Sequence, residues 1–252
     1  MKKTVIAFVA FVMATSAFSQ KDNSAKNDFD VIMNEPNFHI GIDFQTKYVW
    51  RGMEMMTNDA ALVVFPCLNY SNKGFYAYVM GGYSINGRYS EVDLGLSYTY
   101  KWITAGINDY YYPTTTVPQD QYFNLKNAET SHWLEAAIII APEEIPFYAT
   151  VSNFFYGADK NLEGKQAYST YAEIGGYYDF LDEHSLSLAL GAAFNKSCYN
   201  GYDHNFGICN VELKYTYNVK FNNDFTLPLS VAYIINPHYE KSHVNFTASF
   251  AF

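Results

Sequence analysis

The chain has 252 residues, with 16 basic and 25 acidic side chains and a formal charge of −9. Hydrophobic residues make up 49%, which excludes a disordered chain, and 19% are aromatic, with 24 Tyr, 20 Phe and 3 Trp. A net-acidic chain without a basic run is no nucleic-acid binder, and 16% charged residues beside so many aromatics point away from an ordinary soluble enzyme.

In chain order, Lys2 and Lys3, the apolar run 5–13 and the small residues Ala17 and Ser19 form a secretory signal peptide. Cleavage is predicted after Ser19. The apolar run is too short to cross about 30 Å of hydrocarbon as a helix, and no Cys follows the cleavage point to carry a lipid. Residues 20–37 are polar and aperiodic and read as a flexible periplasmic leader. The expected organisation is signal peptide 1–19, leader 20–37 and one barrel over 38–252.

From residue 38 onward, period-2 alternation replaces any helical pattern. In 91–100, Val92, Leu94, Leu96, Tyr98 and Tyr100 share one face, and Glu91, Asp93, Gly95, Ser97 and Thr99 the other. Segments 185–195 and 225–235 repeat the pattern. Such strands exceed the ~5–6 residues usual in globular proteins and match the ~9–11 that a tilted strand needs to cross a bilayer. Short connectors fall at 71–74, 100–101, 142–146, 181–184 and 222–224. Longer polar ones fall at 52–58, 86–89, 113–128, 158–167, 196–204 and 237–241. Twelve strands follow: 38–51, 59–70, 74–86, 89–100, 101–112, 129–141, 146–157, 168–180, 185–195, 205–218, 225–236 and 242–252. An even count, with short turns at one end and long loops at the other, predicts an all-β, antiparallel up-and-down barrel in the outer membrane. Aromatics at strand ends (Tyr48 and Trp50, Tyr110 to Tyr112, Phe154 to Tyr156, Tyr177 to Phe180) fit interfacial girdles.

The last strand alternates Val244, Phe246, Ala248, Phe250 and Phe252 with polar or small residues. It resembles the terminal strand that the barrel-assembly machinery reads by strand pairing, which makes that machinery and outer-membrane lipid the expected partners. Lys47-Tyr48-Val49-Trp50-Arg51-Gly52 and Gly106-Ile107-Asn108-Asp109-Tyr110-Tyr111-Tyr112-Pro113 resemble elements of the TorF-type porin family of small outer-membrane barrels. The resemblance covers essentially the whole mature chain. It implies outer-membrane placement and a porin-like role, and it brings no catalytic or binding residues to carry over.

With the apolar rows facing lipid, the opposite faces line the lumen. They bring Asp43, Lys47 and Arg51 from the first strand and Glu91 and Asp93 from the fourth. Glu135, Glu173, Asp179, Glu212 and Lys214 follow from later strands. An open lumen with this acid excess is expected to prefer cations. Twelve strands lie between a filled eight-stranded barrel and a 16-stranded water channel. The same charges could therefore plug the barrel, and the interior Tyr and the 113–128 loop could narrow it.

A passive channel for small solutes is the first expectation, a closed barrel whose loops bind a partner the second. A lipid-modifying enzyme is the third, resting on His132, expected at the outer end of the sixth strand and facing lipid. None of the six histidines has Ser two residues later. His204, His238 and His243 near outer loops lack tight metal-ligand spacing, and no cofactor fingerprint is present. Cys198 and Cys209 flank one loop, and their pairing would leave Cys67 alone.

Overall fold

The computed structural model describes residues 36–56, 61–113, 121–127, 129–142, 145–222 and 225–252. The signal peptide and nearly all of the leader lie outside the described residues. The strands are β1 (Asn37–Gln45), β2 (Val49–Trp50), β3 (Met53–Glu54), β4 (Val63–Asn72), β5 (Phe75–Ser84), β6 (Ser90–Tyr100) and β7 (Ile103–Tyr111). They continue with β8 (His132–Ile140), β9 (Phe147–Gly157), β10 (Thr170–Phe180), β11 (His184–Ala193), β12 (Gly207–Lys220), β13 (Thr226–Asn236) and β14 (Lys241–Ala251). β1 and β4 to β14 form one closed antiparallel barrel, in which β1 pairs with β14; β2 and β3 form a separate small hairpin. The barrel therefore has the twelve strands that the alternation predicts.

Strict alternation sets which side chains leave the wall. Leu94, Leu96, Ile107, Ile138, Val151, Ile174, Leu188, Leu213 and Phe246 are exposed on the outer surface. Their neighbours Asp93, Ser97, Asn108, Thr150, Glu173, Ala189 and Asn245 are buried inside. In water an apolar belt of that extent would be an aggregation surface. In lipid it is the solvent-matched face, and closure leaves no strand edge unpaired. Among the described residues no helix is long and apolar enough to cross a membrane.

The tight turns are chemically determined. Between β4 and β5, Lys73 and Gly74 have φ of 49° and 83°. Positive φ at both central residues is the two-residue turn whose twist matches the paired strands. On the inner wall, Tyr78 stands directly opposite Gly95. A Cβ at Gly95 would lie 2.0 Å from the Tyr78 ring, so the missing side chain lets that ring lie flat on the neighbouring strand.

Two expectations are corrected. The first strand ends at Gln45, not at residue 51, because the chain turns into the barrel and forms the β2–β3 hairpin there. Lys47 and Arg51 are therefore not first-strand residues. The girdle assignment also fails in part: Tyr48, Trp50, Tyr110 and Phe154 are buried and pack together inside. Tyr178 and Phe155 are exposed, as a girdle requires.

Candidate functional site

The site is the interior of the barrel at its loop end. The wall contributes Asp43 from β1, Glu91 and Asp93 from β6, Glu135 from β8, Glu173 from β10, and Glu212 and Lys214 from β12. The first five are buried. Lys214 Nζ stands 3.4 Å from Glu212 Oε1, and both are partly exposed. Asp179 is exposed near the tight-turn end of β10. Of the predicted lumen residues, it alone stays at the mouth.

The connector between β1 and β4 enters this space. At its root, Thr46 Oγ1 and the Lys47 backbone N–H donate to Asn245 Oδ1 at 3.1 and 3.0 Å. Lys47 Nζ pairs with Glu54 Oε1 at 2.7 Å across the hairpin. Val49 and Trp50 pair with Glu54 and Met53, and the tip is Arg51-Gly52, with φ of 51° and 77°. Asn236 Nδ2 donates to the Gly52 carbonyl at 3.0 Å. The hairpin thus touches strands on opposite sides of the barrel and stands across the lumen.

Its tip is held by charge and by aromatic faces. Arg51 donates twice to Glu135, Nη1 to Oε1 at 2.5 Å and Nη2 to Oε2 at 3.1 Å, and Nη1 also reaches the Tyr199 hydroxyl. The guanidinium carbon lies 4.5 Å from the Trp50 ring centre, 4.7 Å from that of Tyr171 and 5.6 Å from that of Tyr199. Glu135 Oε2 further accepts from Tyr110 Oη at 2.9 Å and Asn108 Nδ2 at 3.4 Å. Fork-shaped donor pairs on a carboxylate combine strength with fixed geometry, and a planar cation stacks on ring faces. Trp50 packs on Tyr110, Phe154 and Tyr199 with ring centres 5.7, 6.2 and 5.7 Å apart. Tyr199 comes from a 3-10 turn at Cys198–Asn200, in the β11–β12 connector. Two loops thus meet over one wall carboxylate.

The other acids differ in how they are satisfied. Glu91 Oε1 accepts from Tyr48 Oη at 3.1 Å, and Oε2 accepts from Tyr89. Glu173 accepts from Tyr148 Oη at 2.7 Å, Asn210 Nδ2 at 2.9 Å and the Tyr171 hydroxyl. Among the described residues, neither oxygen of Asp93 meets a protein donor, nor does Asp43 Oδ1. On the hairpin, Trp50 Nε1 and Arg51 Nε are buried without a protein acceptor among those residues.

The alternation gave no sign of Trp50, Tyr110, Tyr171 or Tyr199 as site residues. One signal was present: Gly52, at the boundary between the expected first strand and the 52–58 connector, marks a turn. The described part of the 113–128 loop, 121–127, does not narrow the lumen. It packs on the rim and outer wall, where the Leu125 carbonyl accepts from Tyr156 Oη at 2.5 Å. His132 faces outward but is covered by this loop and not open to lipid. Its Nδ1 lies 2.8 Å from both Asp109 carboxylate oxygens, and its Nε2 lies 2.6 Å from the Tyr122 carbonyl. Both ring nitrogens are thus engaged, Nδ1 by Asp109 of β7 and Nε2 in fastening the loop.

His243 points into the lumen, 3.9 Å from Glu54, rather than into a loop. His204 and His238 meet edge to face at 5.2 Å. Among the described residues no group of three or more His, Cys, Asp or Glu is arranged to hold a metal. The three cysteines are free thiols, and Cys209 Sγ lies 3.8 Å from the Gly191 carbonyl.

No protein-family model matches the chain, and no curated protein matches it. Solved structures do. A chain from work on the mechanism behind the in-meso crystallization of membrane proteins is 10% identical with a TM-score of 0.49, over 85% of this chain and 83% of that one. An outer membrane channel from Pseudomonas putida is 15% identical with a TM-score of 0.41, over 88% and 98%. A mutant porin from Rh. blastica is 8% identical with a TM-score of 0.37, over 86% and 99%.

Proposed function

We propose that the protein is a porin-like channel of a Gram-negative outer membrane, passing small solutes passively with a preference for cations. The charge of the lumen carries this reading. Carboxylates from β1, β6, β8, β10 and β12 face inward, while the cations near them are already engaged: Arg51 by Glu135, Lys214 by Glu212 and Lys47 by Glu54. Among the described residues, Asp43, Glu91, Asp93 and Glu173 are left without a basic partner within ion-pair distance. Carboxylates lining a pore favour cations over anions. On this reading solutes pass the hairpin constriction toward the tight-turn end, where the inward side chains include the small polar Ser97, Thr104 and Thr150.

The signal peptide 1–19, and delivery by the assembly machinery through the strand ending at Phe252, belong to the same proposal. So does kinship with the TorF-type porins, whose Tyr-x-Trp-Arg-Gly resemblance falls on the constriction. The test is single-channel conductance of the refolded mature protein under a salt gradient. Discrete steps with a cation-selective reversal potential are expected. Anion selectivity would refute the charge argument. A silent bilayer, with folding verified by heat-shifted gel mobility, would favour a closed barrel whose loops serve a partner. That second reading draws on the complete burial of Glu135, Tyr171 and Tyr199 at the hairpin level.

A further inference from the structure

The seat of Arg51 has the composition of a receptor. It offers one carboxylate in fork geometry, Glu135, backed by Tyr110 and Asn108, with the ring faces of Tyr171 and Tyr199 closing over the bound plane. A guanidinium group satisfies every part of that arrangement, whereas a spherical inorganic cation uses only the carboxylate. Glu135, Tyr110, Asn108 and Tyr171 belong to the barrel wall, so this part of the seat is independent of the hairpin.

The occupant, in contrast, is not ideally seated. Among the described residues, Trp50 Nε1 and Arg51 Nε are buried there without a protein acceptor, and Arg51 holds a left-handed backbone conformation that costs a non-glycine residue. Withdrawal of the hairpin returns both donors to water and relieves the backbone. Besides the Arg51–Glu135 pair, the hairpin is joined to the barrel by side-chain contacts, namely Tyr48 Oη on Glu91, Glu54 beside His243, the Asn245 contacts at its root and Asn236 on Gly52, and not by any barrel-strand pairing.

We propose that the Glu135 seat is a binding site for small guanidinium-type organic cations, and that Arg51 is its internal competitor, closing the lumen until such a cation takes its place. This rests on the channel reading and names the solute class of that same lumen. Arg51 then acts as a latch and Glu135 as the recognition carboxylate.

The experiment uses the refolded mature protein in planar bilayers, with folding checked by heat-shifted mobility. Arg51→Ala is expected to raise open probability by about tenfold or more, since one member of a buried ion pair is gone. Guanidinium chloride at millimolar concentration is expected to raise the open probability of the wild-type channel toward that of the variant by displacing Arg51 from the seat, whereas sodium chloride at equal ionic strength is not. The double variant Arg51→Ala with Glu135→Gln, which leaves no uncompensated charge, is expected to open as readily and to ignore guanidinium. A conducting Arg51→Ala channel beside a wild type indifferent to guanidinium would overturn the receptor. A third variant, with residues 48–53 replaced by Gly and Ser, separates the remaining cases. If it conducts while Arg51→Ala stays silent, the latch is wrong and the channel stands; if it too is silent, the channel reading itself falls.

Discussion

At Gly52 the backbone has φ of +77°, and a Cβ there would stand 1.8 Å from the Cys209 carbonyl oxygen. Both facts forbid a side chain: the left-handed conformation costs ~1–2 kcal/mol for an L-residue, and the collision with backbone has no flexible neighbour to absorb it. Arg51 beside it shares the positive φ, but its guanidinium is compensated by Glu135 and the ring faces. Gly52→Val should therefore unseat the hairpin while leaving the barrel closed, because no barrel rung passes through it. Iodide quenching of tryptophan fluorescence reads this directly, with Trp102 as fixed background and Trp133 changing together with Trp50 because both pack on Phe154. The quenchable fraction is expected to rise with heat-shifted mobility retained; unchanged quenching would show that the tip tolerates a side chain and that the steric argument fails.

The strands were legible because each presents one face to lipid and one to a polar interior, and a period of two records that difference. For all but the first, expected and observed bounds differ by at most four residues. The first fails for a physical reason. After Gln45 the alternation continues through Tyr48 and Trp50, but inside the barrel Tyr48 packs on Phe65 and Tyr89, and Trp50 on Tyr110, Phe154 and Tyr199, rather than on lipid. A protein-filled lumen and a bilayer ask for the same apolar residues, so periodicity cannot separate them. For the same reason the carboxylates of the site were foreseen and its aromatic half was not.

The connectors carry their own chemistry. Asp159, buried in the β9–β10 connector, accepts from the Ser169 N–H at 2.8 Å, Ser169 Oγ at 2.6 Å and Tyr202 Oη at 3.4 Å, clasping two loops. Burial pushes its carboxyl above the ordinary value, outweighing the Ser169 bonds that pull it down. The folded clasp thus holds a proton more tightly than the unfolded loop. Its stability rises as pH falls through the raised folded value and is lower above it. Proteolysis within 158–169 is expected to slow on acidification, and Asp159→Asn to flatten that dependence. A wild-type rate that rises with acid would reverse the sign and refute the burial argument.

On the scale of the whole molecule, orientation and closure are tested by different substitutions. Leu96 and Ser97 are adjacent on β6, one exposed outward and the other buried inward. Leu96→Arg puts a charge on the lipid face, at about 2–4 kcal/mol near the midplane, and should cut refolding yield into vesicles far more than Ser97→Arg. Equal yields would mean the outer belt does not face hydrocarbon. Closure rests on the β1–β14 seam, where the register runs only from Gly41–Ala251 to Gln45–Thr247, with Ile40 and Phe252 exchanging two further backbone bonds. The β1–β4 seam runs from Asn37–Ser71 to Gln45–Val63. Apart from the β1–β14 seam, every seam joins strands linked by one connector; this one joins the chain's two ends and closes the largest loop in the molecule. It should open first on heating. Facing residues in antiparallel strands stand ~4.5–5.5 Å apart, within disulfide range. In a background where the three native cysteines are replaced by Ala, Gly41→Cys with Ala251→Cys should raise the temperature at which heat-shifted mobility collapses. The same bridge between β13 and β14, Leu229→Cys with Ala248→Cys, should raise it less, because that seam already has a connector holding its strands together. Equal gains from the two bridges would locate the first opening elsewhere and leave the β1–β14 seam no weaker than its neighbours.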